Sequence, residues 1–273
     1  MKLLYTLDQC EDLMAKAIEL PDIAYEGQVT FHCFWHGELN DKHLLSIRSC
    51  FYFNVGSTEV SNRKIILWVE NCPQNFYYSE IQKYAQIIDF DFDAEKTKIH
   101  ALNIDFYYRK DLSFYSDVVR YILLFNYGGV WFDLDVLFLR RFDPLLTSYG
   151  DSICVYTWER MSYPNGAIFI SLMPQDSRLL NAINYIVQKG QGWGFQEASL
   201  TFDTELDFLV LPCAWFDAGW LASPLDFDIF ISSGKEHSFK NFYPGSFAFH
   251  WHNQWHTPIA ADSIAAQLSQ QFS

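Results

Sequence analysis

The sequence predicts a single α/β domain with a mixed, mostly parallel central sheet flanked by helices, and three observations carry that expectation. Lys64–Glu70 (KIILWVE) is a continuous apolar run between polar residues, the pattern of a strand covered on both faces. Strand-like and helix-like stretches alternate from Val29 to Asp91, which favours right-handed crossovers and a doubly wound sheet. Ser116–Asp135 (SDVVRYILLFNYGGVWFDLD) joins an amphipathic helix to a buried strand that ends in two carboxylates. Ligands of such sheets sit beyond the carboxyl ends of the strands. At 273 residues, half of them hydrophobic, the chain can bury one substantial core.

In chain order, Asp8 and Glu11 form a capping box for a first helix reaching about Leu20 and stopped by Pro21. Val29–Trp35 reads as the first core strand, followed by His36-Gly37 and a helix from about Asp41 to Asn54. After Lys64–Glu70 come a helix from about Tyr77 to Tyr84 and a strand over Gln86–Asp91. Ser113 caps a helix running to about Tyr127, with Asp117, Arg120 and Tyr121 on one face. Gly128 falls where a left-handed residue ends a helix, and Gly129 leaves the backbone open to close approach.

Val130-Trp131-Phe132 is the next strand, and a period of two puts Asp133 and Asp135 on one side. Two such carboxylates raise each other's pKa unless a cation lies between them, and oxygen ligands suit magnesium or manganese. Asp89-Phe-Asp91-Phe-Asp93 and Asp226-Phe-Asp228 repeat the Asp-x-Asp pattern without the helix and the glycine pair, and read as solvated strand ends or turns.

Beyond Pro144, Ser152–Thr157 and Gly166–Ser171 are short strands about a Pro-Asn-Gly turn that holds Asn165, and Asp176 caps a helix ending at Lys189-Gly190. Gln196, Glu197, Asp203, Glu205 and Asp217 are the acceptor-side candidates of the Gly- and aromatic-rich stretch that follows. In Ser246–His256 (SFAFHWHNQWH), His250 and His252 alternate on a strand, a spacing compatible with a shared metal or with a polar face.

The run S-D-x-x-R-x-x-x-L-x-x-x-G-G-x-x-x-D-x-D, from Ser116 to Asp135, resembles the signature of the glycosyltransferases with a DXD-containing sugar-binding region. These include initiating α-mannosyltransferases, lactosylceramide α-galactosyltransferases and the glucosylating clostridial toxins. The resemblance implies a GT-A fold, a UDP- or GDP-sugar donor, a manganese or magnesium ion, and hexose transfer with retention to a glycan, glycolipid or protein hydroxyl.

It also implies the site. Asp133, Asp135 and Arg120 are catalytic; Trp35, Asp117, Arg120, Trp131, Asp133, Asn165 and Trp255 hold the donor; Asp133, Asp135, His250 and Asn253 hold the metal. By that resemblance Trp35 stacks on the base, Asp117 and Arg120 reach sugar hydroxyls, Trp131 lines the donor pocket and the Trp255 indole touches the diphosphate. His252 and His256 are then rim or surface residues. The residues alone also leave open Asp117 and Arg120 as a solvated ion pair and Trp35 as a core or rim ring, and Asn165 reads equally well as a turn former. Within the one domain, residues 1–25 form a helical addition, 26–145 the nucleotide-sugar half and 146–273 the acceptor half with the C-terminal metal and diphosphate element.

The net charge of −14 argues against a nucleic-acid surface. The 25 Phe, 16 Tyr and 9 Trp supply stacking platforms, although most belong to a core. Six scattered cysteines without a C-x-x-C pair read as reduced thiols, and neither a signal peptide nor an apolar run of about 20 residues is present. These features predict a soluble, cytoplasmic enzyme of polysaccharide biosynthesis, in a bacterial or viral setting rather than a Golgi lumen.

Two rivals are weighed against it. A haloacid-dehalogenase-like phosphatase would use Asp133-Leu-Asp135-Val136 as its acid box and Asp203 and Asp207 as a later pair. A non-catalytic nucleotide- or sugar-binding module would keep the GT-A shape alone.

Overall fold

The computed structural model describes residues 2–3, 12, 15–56, 62–99, 112–157, 163–189, 206–218 and 228–272. Its strands are β1 (Lys2–Leu3), β2 (Val29–His36), β3 (Arg63–Glu70), β4 (Gln86–Asp89), β5 (Gly129–Phe132), β6 (Val136–Phe138), β7 (Ile153–Thr157), β8 (Pro164–Ser171), β9 (Phe208–Pro212) and β10 (Ala248–His250). Eight of them form one sheet in the order β1-β9-β7-β8-β5-β2-β3-β4, in which β8 alone runs against its neighbours. β6 and β10 pair antiparallel in a separate ribbon. The helices are α1 (Asp41–Asn54), α2 (Phe76–Ile81), α3 (Phe92–Thr97), α4 (Leu112–Tyr127), α5 (Asp143–Tyr149), α6 (Ser177–Lys189) and α7 (Ile264–Ser269). The predicted fold class is the observed one.

The apolar runs are continuous because both faces of the sheet are covered. Phe31, Cys33, Ile65, Leu67, Val130, Phe132, Cys154 and Tyr156 enter one buried cluster. Their alternates Phe34, Ile66, Trp68, Trp131, Ile153 and Val155 enter another with the buried face of α4. A third cluster, with Leu137, Phe230, Phe249, Trp251 and Ile264, covers the β6–β10 ribbon.

Gly128 and Gly129 have φ of 64° and 118°. A Cβ on Gly128 would lie 2.3 Å from the Leu172 carbonyl oxygen, and one on Gly129 would lie 2.2 Å from that of Thr30. What approaches Gly129 is thus the neighbouring strand β2. Both positions exclude side chains, and the joint leads the chain from α4 into β5, a central strand between β8 and β2.

Several boundaries differ from the reading of the sequence. α4 begins at Leu112, which puts Ser113 inside its first turn rather than at its cap. α2 ends at Ile81 and β4 at Asp89, because Asp91 instead caps α3, accepting from the Ala94 N–H at 3.0 Å. Asn165 lies within β8, opposite Tyr156, and not in a turn. The capping box at Asp8 and Glu11 lies outside the described residues, and the end of the expected first helix is a 3-10 turn at Ala17–Glu19. Lys2 and Leu3 pair with Leu209 and Val210 of β9, far along the chain, which no local pattern announces.

Candidate active site

β5 stops at Phe132, so strand alternation does not bring the two acids together. The Val136 N–H donates to the Asp133 carbonyl at 3.2 Å, closing a turn over 133–136 that turns both carboxylates into one cavity. The Asp133 N–H donates to the Ala167 carbonyl at 2.8 Å, which pins the start of that turn to β8.

Asp133 faces Arg120, whose Nη2 donates to Asp133 Oδ1 at 3.1 Å and lies 3.0 Å from Asp117 Oδ1. The i, i+3 spacing on α4 is therefore not a solvated pair. The Arg120 side chain is only 8% exposed, while Asp117 and Asp133 remain 20% and 25% exposed toward the cavity. Burial pushes the Asp133 carboxyl above the ordinary carboxylate range, with Asp135 adding to the rise and Arg120 drawing it back.

Trp131 does not line the cavity. It is 1% exposed in the core behind it, where its indole N–H donates to Asp133 Oδ1 at 2.7 Å and its ring lies 5.5 Å from the Arg120 guanidinium. The expectation that it touches the donor is corrected to one of holding Asp133. The signal was present: with a period of two, residues 131 and 133 share a side.

Asp135 is buried on the other flank. Its Oδ2 accepts from the Asn253 main-chain N–H at 2.8 Å and lies 3.1 Å from His250 Nε2. Burial alone would raise this carboxyl, but the charge and hydrogen bond of His250, with the Asn253 N–H, hold it below the usual range. His250 in turn is pushed well above the ordinary histidine value: burial works against its charge, and Asp135 and Asp217 outweigh burial.

His252 is not a strand neighbour of His250, since β10 ends at His250 and His252 is left-handed (φ 53°). Nor is it simply a rim residue, because its Nε2 lies 3.0 Å from Asp217 Oδ1 and its ring 4.1 Å from that of His250. Asp217, His250 and His252 could together hold a metal ion. Asp217, expected on the acceptor side, is 1% exposed behind His250. Gln196, Glu197, Asp203 and Glu205 lie outside the described residues.

The acids open onto a cavity of about 510 Å³ beyond the carboxyl ends of β2 and β5. Trp35, Asp117, Arg120, Asp133, Asp135, Asn165, His250, His252, Asn253 and Trp255 all line it, with His36, Ser113, Ser116 and Tyr163 unforeseen. Trp35 and Trp255 form one aromatic wall, with ring centroids 4.8 Å apart, and His43 stacks on Trp255 at 4.6 Å. His43 is an α1 residue whose Nδ1 accepts from the Asn40 N–H at the helix cap. Lys42 beside it donates to the Gln254 carbonyl and lies 3.6 Å over the Phe230 ring, fastening the C-terminal turn to α1. Asn253 is exposed, and its side-chain oxygen accepts from the Trp255 indole N–H at 3.1 Å.

The phosphatase reading loses its second acid pair here. Asp207 precedes β9, which runs parallel to β7, so it lies at the sheet edge opposite the cavity, and Asp203 is outside the described residues. Among the described residues no helix is long and apolar enough to cross a membrane.

The chain is similar to known glycosyltransferases at this site and in this fold. Residues 58–150 match the glycosyltransferase sugar-binding region containing the DXD motif, a stretch that includes α4, the glycine pair, β5 and the acid turn. No curated protein matches by sequence. An active-site mutant of LgtC superposes at TM-score 0.52 and 10% identity, over 89% of this chain and 94% of that one. The apo glycosyltransferase GlyE of Streptococcus pneumoniae TIGR4 superposes at 0.50 and 11% identity, over 90% of this chain and 60% of that one. The PaToxG glycosyltransferase aligns at 0.49 and 15% identity, over 80% and 83%. Such identities speak to the fold alone. Over residues 58–150 the chain is similar to the DXD-containing sugar-binding region of the glycosyltransferases, and its fold is like that of LgtC, a GT-A fold.

Proposed function

We propose that the protein is a metal-dependent, retaining glycosyltransferase that moves a hexose from a UDP- or GDP-sugar to a hydroxyl of a glycan, glycolipid or protein. The observation that carries this reading is the convergence of Asp133 and Asp135 on one cavity, braced on one flank by Arg120 and on the other by His250. A divalent cation fits the donor set. The contacts to Asp135 fall on Oδ2 and the shortest ones to Asp133 on Oδ1, so Asp135 Oδ1 and Asp133 Oδ2 keep acceptor capacity, and His250 and Asn253 line the same cavity. Manganese or magnesium held there supplies charge neutralisation for a departing diphosphate.

The side chains do the rest. Trp35 and Trp255 offer flat apolar faces to a base, and Trp255 borders the region between base and acids. Arg120 holds Asp133 in place and, with Asp117 and Asn165, presents polar groups to the hydroxyls of the transferred sugar. Among the described residues Asp117 and Asp133 pair with Arg120 and Asp135 with His250. That pairing supports attack from the face the diphosphate leaves: the acceptor oxygen bonds to the anomeric carbon, the sugar–phosphate bond breaks, and the hydroxyl proton passes to the leaving phosphate oxygen. The division into a nucleotide-sugar half (26–145) and an acceptor half (146–273) belongs to the same reading, whereas residues 1–25, expected as a helical addition, also supply strand β1 to the central sheet.

Calorimetry with UDP and with GDP, in manganese and then in EDTA, tests it. We expect one nucleotide to bind in manganese and to lose most of its affinity in EDTA; equal affinity in both would remove the metal from the site.

A further inference from the structure

We infer that Asp217, together with Tyr156, is the positioning unit of His250: the two fix the imidazole by its Nδ1 so that Nε2 is the nitrogen turned toward the acid pair. The inference rests on the metal-dependent reading above and adds residues that line no part of the cavity.

The ring of His250 is addressed from two sides by different elements. On the Nε2 side is Asp135 Oδ2, at 3.1 Å. On the Nδ1 side are the Tyr156 phenol oxygen, at 3.0 Å from β7, and Asp217 Oδ2, at 3.7 Å from the segment after β9. Tyr156 is fully buried and Asp217 nearly so. Burying a carboxylate is costly unless charged or donating groups surround it. Asp217 is placed by its backbone, its N–H donating to the Cys213 carbonyl at 2.8 Å and its strand bridge facing Phe249. Its Oδ1 is within hydrogen-bond distance of His252, at 3.0 Å, while its buried Oδ2, 3.7 Å from His250 Nδ1 and without a hydrogen bond, faces that ring as a charge.

A histidine that offers one nitrogen to an ion has its other N–H held by a carboxylate or another oxygen, which fixes the tautomer and ring plane and makes the free nitrogen a better ligand. The Nδ1 side of His250 carries that oxygen set. The alternative is that Asp217 merely ties the loop after β9 to β10. That role would support the fold but would not act on the ion through His250.

A cycle of variants separates the two. Manganese affinity is measured in the presence of UDP and of GDP for the wild-type chain, Asp217→Asn, Tyr156→Phe, His250→Ala and each pairwise combination with His250→Ala, with circular dichroism as the check on folding. Asp217→Asn should weaken manganese binding about 10- to 100-fold, and Tyr156→Phe less. Both losses should vanish once His250 is already Ala, because the two residues work only through that ring. Unchanged affinity in Asp217→Asn and Tyr156→Phe overturns the inference, as does a full additional loss in the His250→Ala background. If Asp217→Asn does not fold, Tyr156→Phe and its double variant decide in the same way. A wild-type chain that takes up no manganese overturns the metal-dependent reading and this inference together, whereas manganese uptake indifferent to Asp217 and Tyr156 overturns this one alone.

Discussion

His32 in the central sheet and His250 on the β6–β10 ribbon are both buried imidazoles, and their surroundings drive them in opposite directions. His32 on β2 meets only dipoles: its Nε2–H donates to the Gly128 carbonyl at 3.0 Å and its Nδ1 accepts from the Trp68 indole N–H at 3.1 Å. Burial therefore pushes it down to about 4 and it stays neutral, holding the glycine joint against β2. His250 meets carboxylates on both nitrogens and is held charged. The arginines repeat the contrast. Arg63 and Asp143 are sealed at 0% and 1% exposure, with the Arg63 Nη atoms bonded to both Asp143 oxygens and its Nε left without a partner, whereas Arg120 sits between two acids that still face open space. Where every partner is inside the protein the polar group fastens the fold; where one side opens on a cavity, interaction capacity is left over for a ligand.

The sharpest break in that comparison would come from the acid pair. Asp133→Asn and Asp135→Asn each remove a charge from the open cluster and no core volume, and each should lower sugar transfer by roughly 10²–10³-fold while the melting curve and circular dichroism stay near wild type. Near wild-type turnover in either variant would take that residue out of the role.

Next come the two arginines, measured together. Arg63→Ala leaves the sealed Asp143 carboxylate unpaired and should cost about 3–5 kcal/mol in urea unfolding, with kcat/KM of the folded fraction unchanged. Arg120→Ala should lower kcat/KM by roughly ten- to a hundred-fold, since charged hydrogen bonds contribute about 1.5–3 kcal/mol each. Its cost in stability should be the smaller of the two because Asp117 and Asp133 can take up water from the cavity. If the order of either effect is reversed, sealed and open are the wrong categories.

The histidines make a prediction about pH in the metal-free protein. His32 has a folded value of about 4 against an ordinary 6.5, so the unfolded chain binds the extra proton. Its contribution is complete above pH 6.5 and is lost as the pH falls from there toward 4. His43, lowered by burial to about 3, acts in the same sense. Replacing His32 with Gln should therefore reduce the loss of stability between pH 7 and pH 5 by about 2 kcal/mol, on the basis of the shift to about 4. His250, raised by Asp135 and Asp217, has the opposite sign: its contribution is present below pH 6.5 and lost as the pH rises through its folded value. His250→Gln should accordingly flatten the alkaline side of the stability curve.

These residues also divide by how far they could be read in advance. β2, α1, β3 and the α4–glycine–β5 joint were legible because their causes are local: an apolar run, the Asn40 cap, two positions without room for a Cβ. Asp133, Asp135, Arg120 and Asp117 were legible for the same reason, since one helix and one turn contain them all. Tyr156, Asp217 and His252 were not, because Tyr156 reaches His250 from β7 across 94 residues of chain, Asp217 comes from the segment after β9, and His252 is brought back by a left-handed turn. Trp131 was misplaced by resemblance, although the strand period put it beside Asp133.

The smallest effects are expected at the two Asp-x-Asp copies that share the motif and not the setting. Asp91 Oδ1 accepts the Ala94 N–H at the start of α3, and Asp228 Oδ1 accepts the Phe230 N–H at 2.8 Å in a turn. Asparagine carries the same carbonyl oxygen and ranks with aspartate at such positions, so Asp91→Asn and Asp228→Asn should change stability by less than about 0.5 kcal/mol and leave transfer untouched. Asp91→Ala, which removes the acceptor, should cost about 1 kcal/mol. The pair Asp91→Asn and Asp133→Asn is then the same chemical change in the same local sequence pattern, once at a helix cap and once at the cavity. A fall in transfer with Asp91→Asn comparable to that with Asp133→Asn would mean that the setting supplied by Arg120, the glycine pair and His250 does not distinguish the acids that act from those that only cap.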